Sequence, residues 1–252
     1  MLYREFSPHV LLHQYVETYW AASGFMKTEE YHKILPDGCV DILFSFGSVS
    51  AKGKVIPFRP NIIGTTTSYI ENYYLNTLDM IGIRFRPGGL TAFTSTPIHE
   101  FTDKIIELTS TDSLFDDEFH AGLPEMKTTE ERIKHLDCYL VGRLKKAFEP
   151  ERRIIHAVNL IQHSKGQLSL QDVARESCLS PRHLERKFKA SIGLSPKAFS
   201  NIIRFKSALS YLEQNTDSAL PDIAVRFGYY DKGHLIKEFK NLSGELPSSF
   251  KR

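Results

Sequence analysis

The sequence predicts an α+β chain in two parts, a mainly β N-terminal domain with some helices over residues 1–150 and an all-α domain over residues 151–252. Three observations carry this. β-Branched and aromatic runs between turn residues fill the first part, whereas helical spacing of apolar residues fills the second. Seven residue types recur in the second part at a constant offset of 51. The net charge of +2 divides unevenly: residues 1–150 hold 15 Lys and Arg against 20 Asp and Glu, and residues 151–252 hold 17 against 10. A chain of 252 residues can bury two cores of this size.

The expected strands lie in "TYWAASGF" (18–25), "CVDILFSFG" (39–47), "KVIPF" (54–58), "NIIGTTT" (61–67) and "SYIENYYLNTLDMIGIRFRP" (68–87). Short strands of this kind build a small barrel or sandwich. Ile133, Leu136, Leu140, Leu144 and Phe148 then form one stripe on a helix over about 128–148, ending before Pro150. That stripe packs either on its own domain or on a second copy of the chain in a homodimer.

The repeat aligns His183, Leu184, Phe188, Lys189, Gly193, Pro196 and Phe199 with His234, Leu235, Phe239, Lys240, Gly244, Pro247 and Phe250. It marks two copies of one supersecondary unit. Ile154, Ile155, Val158 and Ile161 open the domain with a helix. In the first unit Ser169 caps a helix through Val173 and Ala174, "SCLS" (177–180) turns, and Ser180 caps the next helix with Pro181 in its first position. In the second, Asp222, Ile223 and Ala224 lead to a turn at Gly228, and Asp231 caps the following helix. The second turn is one residue longer. Phe199, Ile202, Ile203, Ala208, Leu209 and Leu212 form a long connecting helix between the units.

Each unit reads as helix, tight turn, helix, and the outer face of the second helix is the informative one. Leu184 and Phe188 fall within about 40° of each other, while Arg182, Glu185, Arg186 and Lys189 cover the opposite side. Such a helix docks by its apolar pair and offers its charged face to the major groove. Arg can hold guanine through two hydrogen bonds, and Glu can accept from cytosine. The basic C-terminal part is therefore the one expected to meet a polyanion, double-stranded DNA.

These residues carry a resemblance. Residues 154–252 resemble the DNA-binding domain of the AraC/XylS family of bacterial transcription regulators, through "SLQDVARESCLSPRHLERKFKASIGLSP", "IIRFKSALSYL" and "DIAVRFGYYDKGHLIKEFKNLSGELPSSF". The resemblance implies base contacts at Arg182, Glu185 and Arg186 in the first unit and at Lys232, Gly233, His234 and Lys237 in the second. It also implies a sequence-specific regulator with two helices in successive major grooves about 34 Å apart and RNA polymerase as a partner. Two positions depart from the pattern. Cys178 stands where the first turn usually has glycine, and Gly233 brings no side chain to a reading position. "LPDGCVDILFSFG" and "IGIRFRPGG" resemble the sensor-like N-terminal domain of one subgroup, which implies a cupin-like barrel and modulation by a small-molecule effector or by assembly.

Within that domain Arg84 and Arg86, two apart on a strand, are candidate ligands for an anion, with a structural salt bridge to Asp37 or Asp41 as the other reading. The His and Glu pattern of metal-binding cupins is missing, so neither metal nor cofactor is expected. The three cysteines, Cys39, Cys138 and Cys178, are far apart and suit reduced thiols. No apolar run approaches the roughly 18 residues of a membrane span, and "MLYREFSPHV" lacks the layout of a signal peptide, so a cytoplasmic protein without a membrane is expected. The rival to a regulator, which is not an enzyme, is a DNA-binding enzyme whose Cys39 performs a transfer reaction.

Overall fold

The computed structural model describes residues 1–47, 60–108, 114–116, 119 and 122–251. The strand expected at 54–58 lies outside them. Among the described residues six strands form one antiparallel sheet: β1 (Leu2–Phe6), β2 (Val16–Ile34), β3 (Val40–Ser45), β4 (Pro60–Ile63), β5 (Ile70–Phe85) and β6 (Ile105–Glu107), ordered β1-β2-β5-β3-β4-β6. β2 and β5 pair along nearly their whole length, with a register irregularity between Met26 and Glu30. Period-2 alternation buries both faces. Tyr19, Ala21, Ile42, Phe44, Ile81 and Ile83 face one core, and Trp20, Ala22, Leu43 and Met80 face a smaller one.

The larger core is closed by α1 (Thr129–Arg143), whose Ile133, Leu136 and Leu140 are buried against the sheet. Thr128 and Glu131 form a reciprocal cap that starts this helix. The stripe thus packs on its own domain. It is shorter than the 128–148 expected, because the chain tightens into a 3₁₀ turn at Leu144–Lys146 and leaves Phe148 exposed.

The helical part comprises α2 (Arg152–His163), α3 (Leu170–Glu176), α4 (Pro181–Ile192), α5 (Pro196–Gln214), α6 (Leu220–Arg226) and α7 (Lys232–Ser243). Its core draws on Ile154, Val158, Ile161, Val173, Leu184, Phe188, Phe199, Ile223, Leu235 and Phe239. Ser169, Ser180, Ser195 and Asp231 each cap a helix through the side chain, every cap contributing about 1 kcal/mol. The repeat survives into tertiary structure. Phe188 meets Phe199 at 5.5 Å between ring centres, and Phe239 meets Phe250 at 6.1 Å. The second Gly-xx-Pro-xx-Phe run opens no long helix and closes the chain in a 3₁₀ turn, Pro247–Phe250.

The two parts are seated on each other through equivalent points of the repeat. α4 and α7 end at Gly193 (φ 89°) and Gly244 (φ 75°), left-handed caps that suit glycine. Thr102 Oγ1 donates to Gly193 O at 2.8 Å, and Thr65 Oγ1 lies against the same glycine. A Cβ on Gly244 would come within 2.7 Å of the Tyr69 ring. Beside it Lys33 Nζ pairs with Glu245 at 2.6 Å and lies over Tyr69 at 4.8 Å. One short stretch of the β domain, residues 65–69, thus touches the end of both second helices.

Candidate nucleic-acid interface

In α4 Leu184 and Phe188 are 1% and 0% exposed, each stabilising the dock by about 1.5–3 kcal/mol. Arg182, Glu185, Arg186 and Lys189 are exposed. In α7 Leu235 and Phe239 are buried and Lys232, Gly233, His234, Lys237 and Lys240 are exposed. All seven residues singled out for base contact therefore lie on the exposed sides of the two second helices. Glu238, on the inner side of α7, forms a buried ion pair with Arg204 of α5 at 3.5 Å. Arg204 also donates to Asn201 Oδ1 at 2.7 Å and to Gly228 O at 3.2 Å. These bonds tie the second unit's turn and its second helix to the connector.

His234 is committed within its own turn. Its Nδ1 accepts from the Tyr230 N–H at 3.2 Å, its backbone N–H donates to Asp231 Oδ1 at 2.7 Å, and its ring stands edge-on to Tyr229 at 5.4 Å. It also lines a cavity of about 340 Å³ with Thr67, Asn201, Lys237 and Asn241.

The two turns can be aligned bond by bond. Leu179 N–H donates to Ala174 O and Tyr229 N–H donates to Ala224 O, both at 2.9 Å. Cys178 (φ 53°) and Gly228 (φ 70°) hold the same left-handed position just before them. Cys178 thus adopts the glycine conformation at the cost of backbone strain, about 1–3 kcal/mol. Leu179 is followed directly by the cap Ser180, whereas Tyr230 intervenes between Tyr229 and the cap Asp231. Tyr230 is the extra residue of the longer turn.

Of the four residues picked as ligand candidates in the β domain, three come together. Asp41 lies directly across from Arg84 in the β3–β5 register, and its carboxylate is 3.3 Å from Arg84 Nε, with Asp37 at 3.8 Å. Asp41 also accepts from Trp20 Nε1 at 2.7 Å. Arg86 is apart from them: β5 ends at Phe85, and Arg86 Nε donates to His13 O at 2.7 Å. The expectation that both arginines share one strand face is corrected by this early strand end. Arg84 also lines a cavity of about 290 Å³ with Glu5, Glu17 and Thr18.

Burial pushes Asp41 up to about 6, with Asp37 adding to the rise and Arg84 and Trp20 opposing it. A carboxyl raised above its ordinary 3.8 keeps a proton in the fold that the unfolded chain has released. Its contribution to stability is therefore present at low pH and lost as pH rises from about 4 to 6. Urea unfolding of the parent and of Asp41→Asn across pH 4–7 checks this: the difference is expected to move in the variant's favour with rising pH. A constant difference would show that Asp41 is ionised throughout. Burial, together with Asp37, Glu17 and Asp41, also pushes the Cys39 thiol up, and its sulfur lies 3.4 Å from Glu17 Oε2.

Two helix-turn-helix units on one connector, each exposing a basic second helix, define the class of the C-terminal part as a double helix-turn-helix DNA-binding domain. Its family match agrees: residues 173–252 match a helix-turn-helix domain family, and this domain is of the AraC type. Residues 4–107 match a domain family of unknown function, DUF6597. The chain is similar to the uncharacterized HTH-type transcriptional regulator YtdP of Bacillus subtilis, 30% identical over 96 residues, covering 38% of this chain and 12% of that one. It is also similar to the bifunctional transcriptional activator/DNA repair enzyme AdaA of the same organism, 31% identical over 86 residues, covering 34% and 40%. Among solved structures it is similar to ToxT from Vibrio cholerae, 11% identical, covering 92% and 97%, with a TM-score of 0.49. The chain spans less than half the length of the curated relatives it matches. Among the described residues no helix is long and apolar enough to cross a membrane.

Proposed function

We propose that the chain is a sequence-specific DNA-binding transcription regulator of the cytoplasm, whose residues 151–252 insert α4 and α7 into successive major grooves. In this reading residues 1–150 form a sensor or assembly domain. The observation that carries it is the pair of exposed basic faces, presented at equivalent points of a repeated scaffold whose family is AraC-type. RNA polymerase is the downstream partner and a homodimer is one mode of assembly. At the Asp37, Asp41 and Arg84 cluster, the candidate effector site, a ligand-binding and a structural role compete. Arg84 there is already matched by two carboxylates, which favours its structural role over the capture of an anion.

Selecting bound sequences from a random DNA pool tests the proposal. Once a site is known, Arg186→Ala is expected to relax base preference in one half of it by about 1–3 kcal/mol, because Arg holds guanine by two bonds. Lys237→Ala is expected to weaken all sequences nearly equally and to reduce the salt slope by about one. A panel of single-base variants separates the two, and equal shifts in preference would refute the division. The enzymatic rival has the similarity to AdaA, a DNA repair enzyme as well as an activator, in its favour and the setting of Cys39 against it. A thiol held protonated in an acidic, buried site is a poor nucleophile.

A further inference from the structure

The second unit has a gap where the first has its most useful side chain. At the offset of 51, Arg182 corresponds to Gly233. The backbone conformation does not require glycine at this point, and the crowding a side chain would meet is confined to the helix cap. Gly233 is not among the glycines with positive φ, and a Cβ added there would meet only the Asp231 side chain, at 3.2 Å from Oδ1. The bare position is thus a property of the outer surface, where it lets another body approach the backbone.

The inserted residue of the turn lies three positions before that gap. Tyr230 has no counterpart in the first unit and directly precedes the cap of α7. It is 92% exposed, an unusual setting for an aromatic ring. Its backbone is held by the bond from its N–H to His234 Nδ1, one turn into the helix. Lys232 and Lys237 are exposed on the helix that follows it. The N-terminal end of a second helix is the part that contacts base edges in a helix-turn-helix complex. An apolar ring at a base edge meets the C5-methyl group of thymine.

We infer that Tyr230 is a specificity-determining residue of the second unit, its ring packing on a thymine methyl in the major groove while Gly233 lets the helix end approach closely. This rests on the DNA-binding reading above and names how one half of the site is read. The ring takes over the discrimination that Arg182 supplies in the first unit. Its chemistry is apolar, so the second half of the site should prefer A·T pairs where the first prefers G·C.

The test uses the full chain and the site selected from a random pool. Affinities of the parent, Tyr230→Ala and Tyr230→Phe are measured on that site and on versions with thymine replaced by uracil, which lacks the methyl group. The parent is expected to lose about tenfold on uracil at one position of the second half-site, Tyr230→Phe to lose the same, and Tyr230→Ala to be indifferent to the replacement. Tyr230 is exposed, so thermal unfolding of both variants should match the parent. Four results overturn the inference. One is a parent indifferent to uracil throughout the second half-site. A second is a Phe variant that behaves as the Ala variant. A third is a Ala variant weakened equally on all sequences, as for a phosphate contact. The last is an Ala variant with unchanged DNA binding but altered transcription in a reconstituted assay, which would assign the ring to a protein partner. A parent with no sequence preference would sink the proposed function as well, whereas a selective parent with an inert Tyr230 sinks only this inference.

Discussion

Replacing Glu238 with alanine is expected to lower the stability of the helical part by about 3–5 kcal/mol. The Arg204 and Glu238 side chains are 8% and 7% exposed, so the guanidinium left behind would be buried without a counter-charge. Asn201 and the Gly228 carbonyl still accept hydrogen bonds from it, which places the cost toward the lower end of that range. The pair itself is expected to contribute little, since the attraction between two buried ions mostly offsets the cost of taking both out of water. Arg204→Met with Glu238→Leu is therefore expected to come within about 1 kcal/mol of the parent or above it. Urea unfolding followed by the helical signal in circular dichroism reads both variants. A single variant within 1 kcal/mol of the parent would mean that water or a neighbouring group already compensates Arg204.

The second large effect is electrostatic. If residues 151–252 neutralise six to eight phosphates, log K is expected to fall with log[salt] at a slope of about −5 to −7. A rise from 50 to 200 mM salt would then cost about a thousandfold to ten-thousandfold in affinity. Arg182, Arg186, Lys189, Lys232, Lys237 and Lys240 are the exposed cations on α4 and α7. The acidic β domain slows approach at low ionic strength without changing the number of ions released. Titrations at four salt concentrations give the slope, and an affinity independent of salt would contradict the nucleic-acid reading.

Much of the helical part was legible because its determinants are local. Ser180 with Pro181 and Asp231 mark helix starts, Leu184 and Phe188 mark a buried stripe, and the offset of 51 reports a repeated architecture. The β domain was less so. β1 and β6 have five and three residues, too few for alternation to stand out. The latter half of β2 carries "KTEEYHKI", a sequence with no period-2 apolar alternation to read. Arg86 was misplaced because the end of β5 is set by its partners and not by its own residues. Lys33 and Glu245 are 212 positions apart, so their pairing leaves no trace in any window of sequence. Tyr230 was visible only as one extra position in a turn. Its meaning needed the hydrogen bonds that show which residue was inserted.

The seating of Gly193 and Gly244 on one stretch of the β domain bears on how two weak half-site contacts become one strong one. A chain with two reading heads binds its second half-site as an intramolecular event, at an effective concentration set by how narrowly the heads are distributed about the correct distance and angle. Thr65 and Thr102 hold one head and Lys33 and Tyr69 hold the other, so the spread is narrowed before DNA arrives and less orientational freedom remains to be lost on binding. The gain applies to operators whose half-site spacing matches the fixed geometry. For any other spacing, the same rigidity lowers the effective concentration toward zero, and the protein rejects the site without reading a single wrong base.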